Sequence, residues 1–261
     1  MSVLYVDAVG MPARIRLDGP ALALERPEGP RGRMPLRRLS RVVVRGPAAL
    51  ETGVLATLLH RGIPLTVLAG DGRLLGLCLP AHARRTDTRA LLEEAELRGR
   101  LEAVRATWPA AEERRLVLDL RTTLGLPLTD LRRRRVDRRL HTLLDAAGGP
   151  PAEDLLRWGA SLLDAHLARR LWEEGLGRAW QGADPERWNL RETLGHILIL
   201  ALVPTLLELA RFEAERGRPD DDRRLYRRLA RRYEREAGRL ERLMDGMLAR
   251  LRRRLREELE G

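Results

Sequence analysis

Arginine carries most of the chemistry this chain could do. Lys+Arg number 49 against 38 Asp+Glu, for a formal net charge of +11, and every basic residue is arginine. The arginines cluster at Arg132, Arg133, Arg134 and Arg135 with Arg138 and Arg139, again from Arg223 to Arg235, and at Arg250 with Arg252, Arg253 and Arg254. A guanidinium is a planar, permanently charged fork that matches two phosphate oxygens. At helical spacing, Arg224, Arg228, Arg231 and Arg235 fall on one stripe, away from Tyr226, Leu229 and Tyr233. Between Arg216 and Arg239 ten arginines meet five acids, so local pairing leaves charge over. GC-rich coding also favours arginine over lysine, but that does not remove the charge. These clusters are therefore expected to contact nucleic acid. Aromatic residues are only 3%, so backbone contact with duplex DNA fits better than base stacking.

The remaining reactive residues each have a plain structural reading. Glu174 reads as a solvated helix glutamate. His196 flanks the apolar run from Ile197 to Leu207 and reads as a hydrogen-bonded core histidine. Asp220, Asp221 and Asp222 precede the final helix, where an aspartate caps the N-terminus and favours its positive end. Asp245 reads as a surface or ion-paired residue. Three carboxylates could hold Mg²⁺, but the sequence alone brings no three together. The single cysteine, Cys78, excludes a disulfide scaffold and a cysteine zinc site and is expected as a small buried hydrophobe.

Two stretches of different grammar must position these residues. Up to about residue 80 the chain reads as short strands: Val3–Asp7, Ala13–Leu17, Ala21–Glu25, Arg41–Arg45, Ile63–Leu68 and Arg73–Leu79. Asp18-Gly19 and Gly70-Asp-Gly72 mark turns, and one helix is expected from Pro47 to His60. From about Ala83, Leu, Ala, Arg and Glu recur at helical period. Breaks are expected at Trp108-Pro109, Gly125-Leu-Pro127, Gly148–Pro151, Gly182–Pro185 and Gly217–Pro219, giving six or seven helices. The fold class is α+β: a small N-terminal β-sheet domain with one helix (1–82), then a larger all-α domain (83–261). The N-terminus lacks the pattern of a signal peptide and the longest apolar run is too short to span a bilayer, so a cytoplasmic protein without a membrane partner is expected.

The order of the N-terminal pieces is specific. Leu4-Tyr-Val, the hairpin, Pro35-Leu-Arg-Arg-Leu-Ser-Arg-Val-Val-Val44, a short helix, Arg61-Gly-Ile-Pro-Leu65 and Gly70-Asp-Gly-Arg73 follow in series over about eighty residues. This series resembles the N-terminal domain of Cas1, the CRISPR adaptation integrase. The resemblance implies a helical C-terminal domain, a homodimer formed through the N-terminal domains, and Cas2 or another CRISPR protein as partner in inserting DNA into a CRISPR array. It also implies a metal site made of a glutamate, a histidine and a second acid, holding Mg²⁺ or Mn²⁺, which stabilise the attacking and leaving oxygens of a transesterification. Glu173-Glu174-Gly175 with Arg178-Ala179-Trp180 is similar to the family's glutamate motif and places Glu174 as catalytic metal ligand. His196 and Asp245 are the candidates for the other two ligands. The sequence departs from the family pattern there: no histidine follows His196, and Met244-Asp245 is a fragment of the last acidic motif. Two functions follow. One is binding of duplex or branched DNA (or RNA) with metal-dependent integration or cleavage. The other is an inactive Cas1-fold subunit, without a metal, that binds nucleic acid in a CRISPR complex.

Overall fold

The first eighty residues form eight short strands, only some of which alternate apolar and polar residues. In the computed structural model, residues 2–27, 32–80, 86–125, 133–182, 184, 186–217 and 221–261 are described. The strands are β1 (Ser2–Asp7), β2 (Ala13–Asp18), β3 (Ala21–Glu25), β4 (Gly32–Pro35), β5 (Leu39–Arg45), β6 (Ala48–Leu50), β7 (Leu65–Leu68) and β8 (Leu74–Cys78), with helix α1 (Thr52–His60) between β6 and β7. They form two four-stranded sheets, ordered β1-β5-β7-β8 and β4-β3-β2-β6. β5 runs parallel to both β1 and β7, and β2 and β3 form the hairpin closed by Asp18 and Ala21. The helix expected from Pro47 starts later. Ala48–Leu50 instead pairs parallel with β2, and Glu51 takes the N-cap position of α1.

β5 is buried along its whole length, and its two faces serve different cores. Val42 and Val44 pack with Val54, Leu58 and Ile15 between the sheets and α1. Val43 joins the core of the helical region. Arg41 and Arg45 share the face of Val43, because side chains two apart on a strand point the same way. Cys78 is half-buried rather than buried.

The helical region contains α2 (Asp87–Leu97), α3 (Leu101–Leu124), α4 (Arg133–Ala146), α5 (Ala152–Glu173), α6 (Leu190–Arg216) and α7 (Asp222–Glu260). Trp108-Pro109 is not a break: Pro109 lies inside α3. Val104, Trp108, Glu112 and Leu116 are buried on one face across it, and that packing outweighs the local cost of the missing N–H. The real break before α3 is at Gly99, with φ 67°. Pro204 likewise lies inside α6. By length and composition α6 could cross a membrane, yet 67% of its most apolar stretch is buried within the protein. It is the central core helix. Asp221 caps α7 by accepting from the Arg223 N–H at 3.2 Å.

The first sheet docks on the helices through polar groups. Arg41, 2% exposed, donates to Glu234 Oε1 at 2.7 Å, and Tyr5 donates to the same oxygen at 2.6 Å. The Arg45 guanidinium lies 4.5 Å from the centre of the Tyr226 ring and 5.4 Å from that of Trp158. The turn between β7 and β8 rests on Trp158, whose Nε1 donates to the Asp71 carbonyl at 2.9 Å.

Candidate functional site

Glu174 stands where α5 stops. It takes the C-cap position, and Gly175 follows at φ 74°. Its carboxylate is 14% exposed and is bonded on both oxygens. Oε1 accepts from Arg170 Nη2 at 2.8 Å. Oε2 accepts from Arg252 Nη1 at 3.1 Å and from Thr88 Oγ1 at 3.0 Å. Asp245, exposed on α7, accepts from Arg170 Nη2 at 2.6 Å and from its Nε at 2.9 Å. Burial would lower the pKa of Arg170, but the hydrogen bond and charge of Asp245, with Glu174 and Glu173, raise it overall.

The structure thus brings Glu174 and Asp245 together, with a guanidinium between them. His196 is elsewhere. It is exposed on α6, not in the core as expected, and lines a groove with Asp137, His141, Asp164 and Glu192. Neither Glu174 nor Asp245 lines that groove. Among the described residues, no three His, Cys, Asp or Glu side chains converge closely enough to hold a metal ion. A hard cation needs free carboxylate oxygens, and here those oxygens are held by arginine. The residues around Glu174 do not fit a divalent ion in this arrangement.

A histidine does reach this seam, from α5 itself. His166, 1% exposed, contacts Tyr233 Oη through Nδ1 at 3.0 Å and Glu241 Oε1 through Nε2 at 3.2 Å. Burial, with Arg41, Arg169 and Arg170 nearby, pushes its pKa down to about 3, so the ring is neutral at physiological pH. A carboxylate only accepts, so Nε2 carries the proton and Nδ1 accepts from Tyr233. His166, Arg170 and Glu174 lie at i, i+4 and i+8 on one face of α5. That spacing was the available sequence signal for the seam. Its partners on α7 are Glu241, Asp245 and Arg252.

The arginine clusters divide into buried ties and exposed positions. Arg134, Arg135, Arg138 and Arg139 are exposed on α4. Arg133 opens α4 but its side chain, like all of Arg132, is outside the described residues. On α7, Arg224, Arg231 and Arg235 are exposed. Arg228 departs from the expected stripe. It holds the buried Glu213 of α6 with two bonds of 2.8 Å, because a buried carboxylate needs a paired cation.

Comparison with known proteins follows the fold. No curated protein matches the chain. Residues 4–108 match the family model described as CRISPR associated protein Cas1. The chain is similar to a Cas1 protein from Thermotoga maritima at TM-score 0.76 and 13% identity, over 96% of this chain and 97% of that one. It is similar to TtCas1 in a DNA complex at TM-score 0.58 and 16% identity, over 95% and 91%. A casposase bound to its integration product matches at TM-score 0.58 and 16% identity, over 85% and 75%. At these identities the likeness to solved structures is one of fold. The N-terminal part of the chain therefore matches the Cas1 family model, and the chain as a whole shares the fold of these Cas1 structures.

Proposed function

We propose that this protein binds DNA through backbone phosphates and that the Glu174 region serves assembly of the fold rather than metal chemistry. The observation that carries this reading is the pairing of Glu174 with Arg170, Arg252 and Thr88, with Asp245 on the same Arg170. The exposed arginines of α4 and α7 support the DNA contact. So does the fold shared with a Cas1–DNA complex and a casposase bound to DNA product. A homodimer through the N-terminal sheets and association with a Cas2-type partner extend the reading, on the family resemblance.

The test combines two measurements on the full chain. Duplex and branched DNA are bound over a salt series, and strand transfer and cleavage are assayed with Mn²⁺ or Mg²⁺. The expected result is salt-sensitive binding without metal-dependent product. Metal-dependent product that disappears in Glu174→Gln would overturn the assembly role and restore the integrase reading.

A further inference from the structure

Asp7 ends β1, 3% exposed, and aligns with Arg45 in the parallel β1–β5 register. Three further guanidiniums gather around it. Arg26, just past β3, donates from Nη2 to the Asp7 carbonyl at 3.2 Å. Arg223 and Arg227, in the first turns of α7, hold their Nε atoms 3.6 Å and 4.0 Å from Asp7 Oδ2. Both distances are too long for hydrogen bonds. The Nε atoms of Arg26 and Arg223, and Nη1 of Arg45, are buried and have no hydrogen-bond partner among the described residues. Among the described residues, the three guanidiniums of Arg26, Arg223 and Arg227 gather at this one aspartate. Burial lowers the pKa of Arg26, and repulsion from Arg223 and Arg227 lowers it further, with Asp7 only partly offsetting. A buried N–H without an acceptor, beside other cations, is a costly arrangement that an anion relieves. Asp7 Oδ2 is buried there too and accepts no hydrogen bond from the described residues. The positive end of α7 opens at the same place.

We propose that Arg26, Arg223 and Arg227 form a phosphate-binding site at the seam between the N-terminal sheets and α7, remote in sequence from Glu174. The ligand is a phosphate group presenting several oxygens to guanidinium forks. Its source is either the DNA backbone or a free phosphate compound, and the first of these rests on the DNA-binding reading above. An occupied site would tie the N-terminal region to the helical region through one anion.

Two arms of one experiment test this, with wild type, Arg26→Gln, Arg227→Gln and Arg26→Lys. Arg26 and Arg227 are both partly exposed, so the substitutions spare the core. The first arm is thermal unfolding with millimolar pyrophosphate at matched ionic strength. Wild type is expected to gain several degrees, and each Gln variant less than half of that gain. Arg26→Lys, which keeps charge and loses the fork, falls between. The second arm is duplex affinity over a salt series. Each Gln variant is expected to lose several-fold at fixed salt and to lower the log–log salt slope by about 1. Effects in both arms, or in the DNA arm alone, assign the site to the backbone. A pyrophosphate effect alone assigns it to free phosphate compounds. If the variants match wild type in both arms, the site does not exist. Wild type failing to bind duplex would overturn the DNA reading, while the pyrophosphate arm would still decide this site.

Discussion

A Cβ at position 72 would stand 2.4 Å from Trp158 Cδ1, and Gly72 has φ +89°. Gly72→Ala must therefore strain the backbone and push the indole off the Asp71 carbonyl. The expected loss is about 2 kcal/mol or more of unfolding free energy, read by urea denaturation. His166 governs part of the pH dependence. Its folded pKa of about 3 lies below the ordinary 6.5, so between those values the unfolded chain takes up a proton that the folded chain refuses. This contribution is fully present above about pH 6.5 and is lost as pH falls, at no more than about 1.4 kcal/mol per pH unit. His166→Gln is expected to flatten that segment of the stability curve relative to wild type. The sequence made Glu174 and Asp245 visible as acids in motif-like settings. It hid the second arginine on Glu174, because Arg252 is far along the chain and only folding brings α7 beside α5.

Between elements, the buried ion pairs fix how helices lie on one another. Glu112 of α3, 3% exposed, takes two bonds of 2.6 and 2.7 Å from Arg250 of α7. Arg250→Ala leaves that carboxylate buried and unpaired, which should cost about 3 kcal/mol. Glu112→Gln in the same background should recover part of the loss, as measured by a double-mutant cycle. Most helix ends were legible, since Gly125, Gly148 and Gly217 stop helices where glycine can take positive φ,. Pro109 misled because Val104 and Trp108 before it and Glu112 and Leu116 after it are buried on one face, and packing decided against the local rule. β4 was not legible, since Gly32-Arg-Met-Pro35 shows no alternation and exists through its pairing with β3.

The two stretches of different grammar share a core in the folded molecule. Val43 and Leu68 of the first sheet belong to the helical cluster, and Arg41 is buried against α7. The expected result is one cooperative unfolding transition seen alike by far-UV circular dichroism and tryptophan fluorescence. Arg231→Gln and Arg235→Gln, which alter exposed arginines, should leave that transition in place and weaken duplex binding, each lowering the salt slope by about 1. The order of strands and the helical half could be read from the sequence, because periodicity and turn residues act locally. The shared face could not, because Arg41 and Arg45 look like surface charges until Tyr233, Glu234, Tyr226 and Trp158 arrive from the helices.

α7 runs for 39 residues, about 58 Å at 1.5 Å per residue. Along that length it is held by Asp7 and Arg41 near its start, by His166 and Arg170 at its middle, and by Glu112 and Thr88 towards its end. No central turn can open without releasing a tie to another element. Deuterium should enter the backbone amides from Tyr233 to Leu251 only when the whole protein opens, while the outermost turns fray and exchange freely.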